Sequence, residues 1–197
     1  MTLIFAINFG NVILSAAAGG VAIMQLAGEA INRKAGPPIR TIAKPKLGSI
    51  VTYIVLDLGL FAALDIVGAN AHSLPGLPLS VLTSGNLNQI LTVGALFTVQ
   101  IGIAEEVFFR LGLANYGAKF GGPPLGIFTS FAAFSLFHVP ADYANPLQVL
   151  IIGTDGAVMA WSDFDTASVL PSLFAHITNN LIFLLVAAVI GVKVLGL

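Results

Sequence analysis

The segment IAEEVFFRLG, Ile103 to Gly112, places Glu105, Glu106 and Arg110 inside a long apolar run. Glu106 and Arg110 are four residues apart, so on a helix they share a face and can pair. Glu105 is turned about 100° from Glu106. It is therefore expected to stay outside that pairing, as a carboxylate available to accept a proton from water. His138 closes the run FAAFSLFHVP, and His176 lies in PSLFAHITNNLIF four residues before Asn180. That spacing projects the imidazole and the carboxamide from one helical face. A carboxylate, two imidazoles and a carboxamide from three separate helices can supply a base for water and donors for an oxyanion. The same inventory contains a His–His–Glu set, Glu105, His138 and His176, that matches one catalytic zinc pattern. The HExxH spacing of soluble zinc proteases, the GxSxG elbow, the GxxxxGK phosphate loop and the GxGxxG fingerprint are all absent.

The elements that must position these residues follow from composition. The chain has 197 residues, 57% hydrophobic and only 9% charged, with a mean hydropathy of +0.96. Soluble domains carry about 25% charged residues, so the chain reads as an all-α, polytopic transmembrane bundle forming one domain over residues 1–197. A net charge of −1 gives no reason to expect a nucleic-acid partner. Without cysteine, disulfides and thiolate chemistry are excluded. A spanning helix needs about 20 apolar residues, and six candidates emerge: Leu3–Gly28, Ile50–Val67, Gln89–Lys119, Leu125–Val139, Leu147–Trp161 and Ala167–Val192. The first has no basic residues before it, which predicts a membrane helix and not a cleaved signal. GGPPLG and PADYANP break the chain between spans. SDFDT is expected to be a turn, with Ser162 or Asp165 as N-cap. Pro171 is expected in the first turn of the last helix. The basic loop from Asn32 to Lys46 should be cytoplasmic, with the N-terminus outside and Glu105 opening toward cytoplasmic water. The spans are continuously apolar and not alternating, which disfavours a β-barrel.

An ionised side chain at mid-bilayer costs roughly 2.5–3.5 kcal/mol, so such residues face a cavity and pair. A polar catalytic cavity is the expectation. Two further readings accommodate the same residues. In a non-catalytic scaffold or immunity protein, the histidines and Asn180 would be interhelical glue. In a small proton-coupled transporter, Asp57, Asp65, Asp155, Glu105 and the histidines would relay protons, although no inverted repeat supports it. Asp57, Asp65 and Asp155 read most simply as interhelical hydrogen-bonding groups, and His72 as a solvated loop residue.

Taken in order, EEVFFR (Glu105–Arg110), FSLFH (Phe134–His138) and HITNN (His176–Asn180) resemble the EExxxR, FxxxH and HxxxN motifs of the CAAX protease and bacteriocin-processing family. That family includes the type II CAAX prenyl endopeptidases. The resemblance covers about residues 89–192. It implies an intramembrane, glutamate-dependent endopeptidase in which Glu105 and His138 activate water while His176 and Asn180 stabilise the oxyanion. Glu106, Arg110 and Phe134 would be supporting residues. The implied substrate is a membrane-delivered peptide, foremost a C-terminal CAAX sequence of a prenylated protein. Partners would then be membrane lipid and that substrate. No cofactor is expected. The family has also been described as metalloproteases, and a bound zinc would use Glu105, His138 and His176. The chain is short for a eukaryotic-type prenyl-protein peptidase, so the resemblance supports peptidase chemistry better than a prenylated substrate.

Overall fold

The structure is a computed structural model that describes residues 14, 16–24, 26–27, 38–39, 44–66, 87–142 and 146–194. The described residues form helices and no β-strand. Helix α1 is Leu47–Ile66 and α2 is Leu87–Glu105. A π-helical segment, Glu106–Ala114, follows directly. Then come α3, Asn115–Asp142, α4, Pro146–Thr166, and α5, Leu170–Val194. Residues 14, 16–24, 26 and 27 are helical too, within the first expected span; the rest of that span, His72 and most of the basic loop lie outside the described residues. So does the side chain of Asp65.

Each described boundary has a local cause. GGPP interrupts the helical path as expected: Gly121 (φ −147°) and Gly122 (φ +69°) leave helical geometry inside α3, and the positive φ at Gly122 suits glycine alone. Pro146 opens α4, where its missing N–H would have had no intrahelical partner. SDFDT is not a turn. The helix runs through it to Thr166, and the reversal falls on Ala167 (φ 52°). The N-terminus of α5 is accordingly capped by neither Ser162 nor Asp165. Ser168 Oγ accepts the Leu170 N–H at 3.2 Å, and the carboxylate of Asp163 accepts the Ser172 N–H at 3.2 Å. Pro171 sits in the first turn, as expected.

Helix α5 packs against α1, α2 and α4, while α3 packs along α4 and the π segment. Small residues let α3 and α4 close on each other. Ser130 Oγ donates to Gly156 O at 3.1 Å, and a Cβ at Gly156 would stand 2.9 Å from Phe134 Cδ1. Asn115 ties the chain near residue 39 to the start of α3: its Oδ1 accepts the Ile39 N–H and its Nδ2 donates to Ile39 O, both at 3.0 Å. Tyr53 of α1 donates to Asp165 Oδ2 at 2.8 Å and meets Trp161 edge-on, which fastens α1 to the end of α4.

Polarity runs inside out. Arg110, Glu106 and Asp163 are fully buried, whereas Phe120, Phe128 and Leu136 are exposed. Charged groups are almost never fully buried in water-soluble proteins unless paired, and apolar exteriors are what lipid favours. By length and composition alone, one described stretch, Gly94–Val139, is apolar enough to cross a membrane, and Leu47–Leu60 is a shorter apolar helix. That criterion does not reach six spans. One reason is visible in α4, where Thr154, Asp155, Ser162 and Asp163 lower the hydropathy of a helix otherwise long enough.

Candidate active site

The site begins at the junction of α2 and the π segment. A π turn closes on i→i+5 hydrogen bonds, and Asn115 N–H reaches back to Arg110 O in that pattern. Its wider turn reduces the angle between successive side chains below the roughly 100° of an α-helix. Glu105 and Glu106, the last residue of α2 and the first of the π segment, can therefore both reach one neighbour. That neighbour is His176 of α5. Its Nδ1 lies 2.6 Å from Glu106 Oε1, and its Nε2 lies 3.4 Å from Glu105 Oε2.

Glu106 also faces Arg110 through its other oxygen, with Arg110 Nε 3.2 Å from Glu106 Oε2. The i,i+4 pairing anticipated from spacing is thus present. Glu105 stays outside that pair, as expected, and lies against the second nitrogen of His176 from α5. Arg110 is held from two other sides. Its Nη2 contacts Met159 Sδ at 3.0 Å, and its Cζ lies 4.6 Å from the centroid of the Phe134 ring, within cation–π range.

Phe134 is the spacer of the site. Its centroid is 4.5 Å from that of His138 and 6.0 Å from that of His176. His138 Nδ1 lies 2.8 Å from the carbonyl oxygen of Phe134. A carbonyl only accepts, so Nδ1 carries the hydrogen and Nε2 of the neutral ring keeps its lone pair. The structure thus brings Glu105, Glu106, Arg110 and His176 into direct contact and sets His138 beside them across one aromatic ring. Asn180 lies one turn beyond His176 on α5, half-buried, and hydrogen-bonds none of them; its neighbour Asn179 is buried.

The polar cluster is enclosed, not open. Glu105, His138 and His176 are 2%, 4% and 5% exposed, because Phe134 and the Arg110 guanidinium fill the space between helices. A narrow crevice lined by Tyr53, Asp57, Met159 and Ser162 runs nearby between α1 and α4. Among the described residues, no three of His, Asp and Glu are grouped so as to hold a metal ion. The Nδ1 of His176 is engaged by Glu106 and that of His138 by a backbone carbonyl, which leaves Nε2 of each ring as the nitrogen turned to other partners.

Three participants escaped the motif reading. Met159 contacts Arg110, and Asp163 binds Ser172 in the turn of α5 before His176. Only Ser172 had a signal in the sequence, its position one helical turn before His176.

No curated protein and no solved structure matches the chain. Residues 87–182 match the family described as type II CAAX prenyl endopeptidase Rce1-like. The match spans all three motifs and ends at 182, short of the 192 suggested by the resemblance. The stretch from Leu87 to Ile182, which carries every residue of the site, is thus similar to a family of prenyl endopeptidases.

Proposed function

We propose that the chain is an intramembrane glutamate-dependent endopeptidase acting on a peptide bond delivered from the membrane, with the C-terminal CAAX sequence of a prenylated protein as leading substrate. The observation that carries this reading is the buried Glu105–His176–Glu106 arrangement within a protease-family segment. Glu105 and His138 hold the hydrolytic water: each offers an acceptor, a carboxylate oxygen and the Nε2 lone pair. Glu105 takes the proton as the water oxygen attacks the carbonyl carbon, and later returns it to the leaving amine. His176 and Asn180 stabilise the oxyanion. Glu106 fixes the ring of His176 by accepting from Nδ1, so Nε2 donates to the oxyanion with the ring as an imidazolium flanked by the two glutamates. Arg110 balances Glu106 and takes no part in bond making. This chemistry requires no cofactor. The bundle spans the membrane with about six helices and must part to admit substrate, because the cluster is enclosed at rest.

The test is cleavage of an internally quenched peptide bearing a farnesylated cysteine, and of its unprenylated counterpart, by the full chain in lipid vesicles with and without a zinc chelator. Glu105→Gln and His138→Ala should each lower kcat by about 10²–10⁴-fold, the range of a lost general acid–base group. Normal turnover by either folded variant would remove it from the mechanism. Loss of wild-type activity on chelation would replace the metal-free scheme.

A further inference from the structure

Asp163, near the end of α4, is fully buried, yet the motifs do not touch it. Its Oδ1 accepts the backbone N–H of Ser172 at 3.2 Å, and its Oδ2 lies 2.7 Å from Ser172 Oγ. A buried carboxyl group is costly unless its hydrogen bonds repay it. Ser168 caps a different N–H of the same turn, whereas Asp163 binds both the backbone and the side chain of Ser172. What distinguishes the Asp163 contact is its address: Ser172 lies one turn before His176, and residues four apart share a helix face.

The Ser172 hydroxyl has one hydrogen to donate and two acceptors within hydrogen-bond distance. These are Asp163 Oδ2 and Val169 O at 3.1 Å. Glu106 binds His176 Nδ1 at 2.6 Å. Asp163 at the end of α4 thus anchors the first turn of α5, and the next turn of the same helix presents His176 to the π segment. We infer that Asp163 and Ser172 are positioning residues that set the rotation of α5, and with it the ring of His176, against Glu105 and Glu106. Neither touches the reacting atoms. The inference rests on the peptidase reading of the same site.

The test uses the full chain, the vesicle system and the farnesylated peptide described above. Ser172→Ala and the nearly isosteric Ser172→Cys, a weak donor, should lower kcat about tenfold while KM stays within about twofold, as expected for small misplacement of a reacting group. Asp163→Asn keeps an oxygen for the Ser172 N–H and an amide to face its hydroxyl, and should retain most of kcat, whereas Asp163→Ala should behave like Ser172→Ala. Unchanged kcat in Ser172→Cys overturns the inference, as does Asp163→Asn losing as much as Asp163→Ala. Should the alanine variants not fold, Ser172→Cys alone decides. If the wild type cleaves no peptide, the peptidase reading fails first; if it cleaves and Ser172→Cys is normal, only the positioning inference fails.

Discussion

Two buried acidic pairs lie close together in this molecule and are handled in opposite ways. Glu105 and Glu106 are bracketed by cationic or protonatable partners: His176 touches both, and Arg110 holds the second. Asp57 of α1 and Asp155 of α4 meet each other instead. Neither oxygen of Asp57, nor Oδ1 of Asp155, receives a hydrogen bond from a conventional donor among the described residues. Two carboxyl groups side by side satisfy one another only when one holds a proton for the other to accept. The glutamates thus face cationic or protonatable groups in the interior, and the aspartates face one another. The comparison separates two acidic pairs that look alike in the sequence.

Three substitutions probe that contrast, beginning with the largest effect. Arg110→Met strands Glu106 as a buried anion and should destabilise the protein by about 3–5 kcal/mol, the cost of breaking a buried pair from one side. Thermal unfolding in detergent measures it, and adding Glu106→Gln should recover much of the loss; a single variant as stable as wild type would mean the pair contributes no net charge balance. Glu106→Gln alone removes the charge-assisted bond to His176 and should cost about 1.5–3 kcal/mol, with kcat falling more than KM rises. Equal changes in the two would mark Glu106 as a substrate-binding group. Asp57→Asn substitutes a permanent donor for a shared proton, so stability should move by less than about 1 kcal/mol in either direction. A loss above 2 kcal/mol would show that Asp57 is held as an anion, and the contrast between the two pairs would collapse.

Much of the fold was legible from apolar runs and breakers. Helix α1 and α5 fall within a few residues of their expected limits, and GGPP interrupts the path where proline and glycine predicted. The SDFDT error is instructive: polar residues were read as a loop, but Ser162 and Asp163 are buried and Thr166 Oγ1 bonds back to Ser162 O. In a membrane bundle, polarity marks an inward face as readily as a chain reversal. The π segment was not legible, because an inserted i→i+5 turn leaves no compositional trace.

The sequence by itself determined that the chain is strongly apolar, and it picked out the candidates for a site. Composition favours lipid, and the EExxxR, FxxxH and HxxxN spacings single out Glu105, His138, His176 and Asn180 as candidates without coordinates. Local periodicity also paired Glu106 with Arg110, since four residues on one helix are close whatever surrounds them. Tertiary structure alone decided what each helix meets. The bond from Glu106 to His176 joins residues 70 apart, and that from Asp163 to Ser172 crosses a chain reversal. Such contacts depend on how helices rotate and pack against one another, which no spacing within a single helix specifies.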